Sequence, residues 1–219
     1  MARLGGAAAL RAVIFDLWNT IAEWPHEEWA RLRPRVAQRL GLTPEEFDER
    51  WYGEMAHLRE MGPIADVLAR FDLSPEAADD VLALRRTVTR QGLVPVAGAA
   101  ETIAALRDRG FLTGLITVCS EDVPTLWEET AFHGLFDAEV LFSCSVGLRK
   151  PDPRIYELAL EQLGVEPHDA VFVGDGANDE LVGAERVGMR AIGVDSPGGE
   201  LGDWPGPRIR ALPELLELV

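Results

Sequence analysis

The stretch Arg11-Ala12-Val13-Ile14-Phe15-Asp16-Leu17-Trp18-Asn19-Thr20 decides the fold. Arg11–Phe15 is apolar and β-branched and has the length of one strand. Asp16 places a carboxylate where that strand stops. Four more runs of the same kind follow, at Leu112–Val118, Ala138–Ser143, Ala170–Gly174 and Arg190–Val194. Helical patterns separate most of them. That alternation predicts an α/β fold, a parallel five-stranded core sheet flanked by helices on both faces.

Between the first and second of these runs lie almost a hundred residues with no strand-like run. Trp29, Leu32, Val36 and Leu40 form an apolar stripe at helical spacing. Thr43-Pro44-Glu45-Glu46 supplies an N-cap Thr, a first-position Pro and a Glu that closes a capping box. Phe47, Trp51, Met55 and Leu58 continue the spacing. Ser74-Pro75 opens another helix, with Val81, Leu84 and Val88 on one side. These patterns predict a helical subdomain over 23–92, inserted into a core made of 1–22 and 93–219. Its linkers, near 21–25 and 92–98, carry the Gly and Pro residues on which such an insertion can hinge. Beyond it, Ala99–Leu106, a helix opened by Asp152-Pro153, and Ala177–Val187 read as helices between strands. The Gly- and Pro-rich tail from Ser196 to Pro207 reads as loop.

In an open parallel sheet, ligands bind beyond the carboxyl ends of the strands. Four segments stand there: Asp16 to Thr20, Ile116 to Ser120, Gly147 to Pro153, and Gly174 to Asp179. Asp16, Asp175 and Asp179 would form an acidic cluster whose repulsion calls for a cation or protons. Oxygen donors with little else suit Mg²⁺, which keeps waters and bridges to phosphate. With the charge of Lys150 and the hydroxyl of Thr117, such a set fits phosphoryl transfer through an aspartyl-phosphate.

The four segments, in this order, resemble the haloacid dehalogenase-like hydrolase superfamily, over essentially the whole chain. Asp16, Asn19 and Thr20 match its first motif, Thr117 its second, Lys150-Pro151 its third, and Gly174, Asp175 and Asp179 its fourth. The helical insertion resembles the family's cap. The resemblance implies a Rossmann-like core and Asp16 as the nucleophile. It implies Mg²⁺ held by Asp16, the Trp18 carbonyl, Asp175 and Asp179, directly or through water. Thr20, Thr117 and Lys150 would hold the phosphoryl group. The implied reaction is hydrolysis of a small phosphorylated metabolite.

Trp18 departs from the pattern, because the family's phosphatases carry their general acid/base Asp there. An indole transfers no proton, and general acid–base catalysis contributes about 10²–10⁴-fold. Three readings follow: a phosphatase slowed or specialised for good leaving groups, a 2-haloacid dehalogenase whose halide needs no proton, or a binding or regulatory module that kept only the fold. The family's dehalogenases also have an aromatic residue at this position, yet they work without metal.

The remaining residues read more plainly. Asp152 reads as an N-cap and Cys119 as a small buried hydrophobe. His26, His57, His133 and His168 are scattered and read as no ligand set. Arg31, Arg33, Arg35 and Arg59 read as a solvated face, and Trp24 and Trp29 as cap packing or pocket lining. The chain has 219 residues, 47% of them hydrophobic, and a net charge of −16, which disfavours nucleic-acid and membrane-surface partners. Two cysteines exclude a disulfide framework. Met1 to Leu10 reads as a short Ala-rich lead into the strand rather than a secretion leader, and the expected location is cytoplasmic. No motif marks the substrate-choosing faces of the cap or an oligomeric state.

Overall fold

A computed structural model describes residues 10–219; all but the last residue of the Ala-rich lead, read above as no secretion leader, lies outside the described residues. One parallel sheet contains β1 (Ala12–Phe15), β2 (Leu112–Thr117), β3 (Leu141–Phe142), β4 (Ala170–Gly174), β5 (Arg190–Val194) and β6 (Arg208–Ile209), in the order β3-β2-β1-β4-β5-β6. The sheet therefore has six strands, not five. The sixth pairs Arg208 with Gly193 and Ile209 with Val194 after the Gly/Pro-rich tail. Two residues are too few to show a strand period. β3 is likewise two residues, shorter than the run at Ala138–Ser143 suggests.

The insertion is helical. It contains α1 (His26–Arg39), α2 (Pro44–Phe47), α3 (Ala56–Met61), α4 (Ile64–Leu68) and α5 (Pro75–Gly92), with a π-helical stretch at Asp48–Glu54. The capping box forms as read. The Thr43 hydroxyl accepts the Glu46 N–H at 3.2 Å, and the Glu46 carboxylate accepts the Thr43 N–H at 2.8 Å. Val36, Leu40, Phe47, Trp51, Val67 and Val81 bury a separate apolar cluster within the insertion.

Around the sheet stand α6 (Ala99–Asp108), α7 (Asp122–Leu126), α8 (Ser143–Val146), α9 (Pro153–Leu163), α10 (Glu180–Arg186) and α11 (Leu215–Leu218). Successive strand residues point to opposite faces. Val13, Phe15, Val171 and Val173 accordingly pack with α6, α7 and α11. Ala12, Ile14, Ala170 and Phe172 pack with α9 and α10. Each fully buried large side chain of this set contributes about 1.5–3 kcal/mol relative to exposure.

The insertion is tied to the core along one seam. Arg85 of α5 donates to Asp122 at 2.8 Å and to the Ser120 hydroxyl at 2.7 Å, while Thr89 also donates to Asp122. The Ile64 N–H donates to Glu121 at 2.9 Å. Burial works to raise the Asp122 carboxyl, but Arg85 and Thr89 hold it below its ordinary value. At the linkers, the Val96 N–H donates to the Ile21 carbonyl at 2.9 Å. Gly92 lies so close that a Cβ there would sit 2.6 Å from Pro25 Cδ and 2.8 Å from Trp18 Cζ3. No helix among the described residues is long and apolar enough to cross a membrane.

Candidate active site

The strand order reverses between β1 and β4, and that switch point opens a crevice beyond their carboxyl ends. Asp16 leaves β1 there, its N–H donating to the Val173 carbonyl of β4 at 2.8 Å. Asp175 follows β4 directly. Glu180, the first residue of α10, turns back into the same crevice. Oxygens of Asp16, Asp175 and Glu180 lie within 4.8 Å of one another, and all three residues are buried.

One cation serves this group from within. Lys150 is 1% exposed, and its ammonium is paired with both Asp16 and Glu180 and donates to the Ile116 carbonyl at 3.2 Å. Burial pushes the Asp16 carboxyl above its ordinary value and repulsion from Asp175 adds to it, against the pull of Lys150. The Glu180 carboxyl stands well above its ordinary value, first by burial and then by the charge of Asp16. Burial works to lower the Lys150 ammonium, but Asp16 and Glu180 outweigh it and raise it. Three carboxylates face one ammonium, so full ionisation leaves a local excess of negative charge. A divalent cation is what oxygen donors in that condition accept. The residues present therefore fit Mg²⁺.

Around these groups the structure fixes the remaining motif residues. The Thr20 hydroxyl donates to Asp16 at 3.2 Å. Thr117, fully buried at the end of β2, leaves its hydroxyl without a hydrogen-bond partner among the described residues. Asn19, at φ 55°, donates to Asp175 at 3.4 Å and to the Gly198 carbonyl at 3.1 Å. The half-buried Trp18 ring meets Trp24 edge-on, with centroids 5.0 Å apart. Cys119 is buried with its Sγ 3.9 Å from that of Cys144. Asp152 caps α9 by accepting the Arg154 N–H at 3.0 Å.

Spacing alone points to Asp179 as the third carboxylate, and here the structure corrects the reading. Asn178 and Asp179 both have positive φ, at 56° and 55°, and Asp179 is left exposed. The turn runs one residue longer, and Glu180 takes the inward place. Gly174 makes room for it, since a Cβ at that position would lie 2.0 Å from Glu180 Oε1. The Gly176 N–H donates to the same oxygen at 3.1 Å. A signal was present in the sequence: Glu180 lies three and four residues before Gly183 and Ala184, on the buried side of α10.

A second correction concerns Arg59, which is buried rather than solvated. It continues the four-residue spacing of Phe47, Trp51 and Met55. Arg85 similarly follows Val81 by four. With Trp18, Trp24, Trp29 and Trp51 these arginines line a cavity of about 280 Å³ between the insertion and the loops that follow β1 and β2.

Comparison with known proteins finds phosphatases and a dehalogenase among similar chains. A phosphatase of Mycobacterium tuberculosis is 33% identical over 202 residues, covering 87% of this chain and 89% of that protein. The crystal structure of a HAD phosphatase from Thermococcus onnurineus matches with a TM-score of 0.73 at 27% identity, covering 95% of this chain and 97% of the other. A 2-haloacid dehalogenase from Pseudomonas syringae matches with a TM-score of 0.71 at 26% identity, over 95% and 97% of the two chains. The family model of haloacid dehalogenase-like hydrolases matches residues 10–188, which include every strand-end residue described above, and the chain belongs to that family.

Proposed function

We propose that the chain is a Mg²⁺-assisted phosphatase of small phosphorylated metabolites that works through an aspartyl-phosphate on Asp16, with 23–92 as its cap. The observation that carries this reading is the buried group of Asp16, Asp175 and Glu180 around Lys150, beside the unpartnered Thr117 hydroxyl. Asp16, Asp175 and the Trp18 carbonyl would hold the ion, with Glu180 keeping Lys150 in place. When bound, the ion offsets the charge of the phosphoryl oxygens.

The chain's own groups account for the rest. Lys150 and Thr20 orient the Asp16 carboxylate, one on each oxygen. That carboxylate forms a bond to phosphorus while the bond from phosphorus to the leaving oxygen breaks. The Lys150 charge and the Thr117 hydroxyl stabilise the phosphoryl oxygens as charge shifts onto them. Water then attacks phosphorus and loses a proton to solvent, the bond from phosphorus to the Asp16 oxygen breaks to restore the carboxylate, and inorganic phosphate leaves. Trp18 offers no proton to the leaving oxygen, which takes one from water. Leaving groups of low basicity are therefore favoured. Opening at the linkers near 21–25 and 92–98 would admit substrate.

The half-buried Trp18 also favours a second reading, dehalogenation of a 2-halo acid, because halide leaves without a proton. The excess of carboxylates weighs against it, since it repels a carboxylate substrate. Phosphate release from 4-nitrophenyl phosphate should depend on Mg²⁺, stop with chelator, and fall by on the order of 10⁴-fold or more in Asp16→Asn. Halide release from 2-chloropropionate that ignores chelator would select the dehalogenase. Silence on both substrates from folded protein would leave a binding module.

A further inference from the structure

The cavity between insertion and core has an unusual polar inventory. Trp51 Nε1, Arg59 Nε and Arg85 Nε are all buried, all line it, and none has a hydrogen-bond partner among the described residues. Each is a donor. Of the lining acceptors, Asp122 and one Glu60 oxygen are hydrogen-bonded, whereas Glu60 Oε2 has only its ion pair with Arg149 and Glu200 is exposed. Asp122 receives Arg85 and Thr89, and Glu60 receives Arg59 at 2.8 Å and pairs with Arg149 at 3.0 Å. Both guanidiniums stand near the Trp51 ring, Arg59 at 5.5 Å from its centroid and Arg85 at 5.0 Å. Burial lowers the Arg59 guanidinium from its ordinary value and the charge of Arg85 lowers it further, so the two cations feel each other. An anion lodged beside them relieves that repulsion and satisfies donors that are costly to leave unmade.

The charge count selects the kind of anion. Arg59 and Arg85 line the cavity together with Glu60, Asp122 and Glu200, so the lining carries no excess of positive charge. A dianionic phosphate is therefore disfavoured, and a singly charged carboxylate is the anion whose two oxygens can take the unpartnered donors. The remaining wall is aromatic: Trp18, Trp24, Trp29 and Tyr52, with the Trp29 indole N–H donating to the Tyr52 hydroxyl. At about 280 Å³ the space is at the small end for ligand pockets, suited to one ring and a short substituent. Trp18 and Asn19 belong to the loop that carries Asp16, so the cavity adjoins the crevice.

We propose that this cavity is a subsite for an aromatic carboxylate, so that the substrate is a phosphomonoester with a flat apolar ring and a carboxylate at its far end, held by Trp51 Nε1, Arg59 and Arg85. The phosphomonoester half of this statement rests on the function proposed above, whereas the carboxylate subsite rests on the cavity alone.

The test uses binding, which needs no turnover. Phenylacetate and its neutral analogue phenylacetamide are titrated against the full chain, and quenching of tryptophan fluorescence reports occupancy of a cavity lined by four indoles. The wild-type protein should prefer phenylacetate at least tenfold, in keeping with charge-assisted hydrogen bonds. Arg59→Lys, which keeps the charge, should retain most of that preference, and Arg59→Met should reduce the ratio to about one. Should Arg59→Met fail to fold, Trp51→Phe removes a single N–H and should lower the ratio several-fold. Equal binding of the two compounds, binding of neither, or a preference that survives both Arg59→Met and Trp51→Phe overturns the proposal. The two hypotheses fail separately. A carboxylate preference in a protein that cleaves no aryl phosphate keeps the subsite and removes the phosphatase. Aryl phosphate cleavage without the preference does the reverse.

Discussion

The crevice at the carboxyl ends of the strands and the cavity under the insertion are neighbours with different deficits. In the crevice three buried carboxylates share one ammonium, so what it lacks is positive charge. In the cavity three buried N–H donors have no hydrogen-bond partner among the described residues, so what it lacks is an acceptor placed to meet them. The crevice is built on strand ends and the first turn of α10. The cavity is shared between core loops and the insertion, which contributes a π-helical stretch that carries Trp51 and Tyr52. Such stretches place side chains off the regular helical phase and recur at functional sites. The contrast separates two tasks. On the proposed function, the strand ends would supply the chemistry and the insertion the surface that distinguishes one substrate from another.

The comparison is broken most readily at its acidic side. Glu180 is paired with Lys150, and Asp179 is exposed beyond the turn. Glu180→Gln should lower kcat/KM for 4-nitrophenyl phosphate by about 10²-fold, because Lys150 loses the charge that holds it in place. Asp179→Asn should change it by less than about threefold, as expected of a solvated charge. An equal loss in the two variants would mean that the crevice contains four working carboxylates and that the turn rearranges in solution. A Glu180→Asp variant should recover only part of the loss, because the shorter side chain must still pass over Gly174.

A smaller effect probes the border between the two regions. Trp18 stands at the end of the Asp16 loop, against Gly92 and edge-on to Trp24. Trp18→Asp should raise turnover of alkyl phosphates about tenfold, near the low end of what general acid–base catalysis contributes, because part of the gain is lost with the packing. Aryl phosphates, whose leaving groups need little protonation, should gain less. A gain that is the same for both classes, or absent, would show that the shape of the pocket rather than proton supply limits the rate.

These two sites also differ in how far the sequence reveals them. Asp16 and Asp175 follow apolar runs, Thr117 lies near the end of one and Lys150 stands beside a Pro, so they stand out in the sequence, and the family resemblance joins them into one set. Glu180 does not stand out, because the count of residues in a turn depends on whether Asn178 and Asp179 accept positive φ, as short polar side chains do. Arg59 and Arg85 continue apolar spacings at four residues, and a charged residue in such a stripe reads by composition as solvated. Their burial depends on partners brought in by the tertiary fold, Glu60 for one and Asp122 for the other. The sixth strand is hidden for a simpler reason: Arg208–Ile209 borrows its order from β5 and has no period of its own.

The smallest effect concerns stability and follows from the signs of the shifts. Asp16 and Glu180 are raised above their ordinary values. Between the ordinary carboxylate range and the raised values the folded chain holds more protons than the unfolded one, so stability falls as pH rises through that window. Lys150 is raised too, but its contribution is complete below about pH 10, the ordinary lysine range, and constant from pH 5 to 8. Asp122 is lowered, and its contribution is present throughout the same interval, being lost only in stronger acid. In chelator, then, the melting temperature should decline from pH 5 to pH 8. Mg²⁺ competes with protons for the same carboxylates, so it should stabilise more at pH 8 than at pH 5. At 100 times its Kd the gain is about 2.7 kcal/mol, roughly 5–10 °C for a chain of this size. An aromatic carboxylate is itself ionised at both pH values, so bound in the cavity it should stabilise equally at both. A metal-induced shift that is also equal at both would place the ion elsewhere than at Asp16 and Asp175, and would remove the contrast between the two sites.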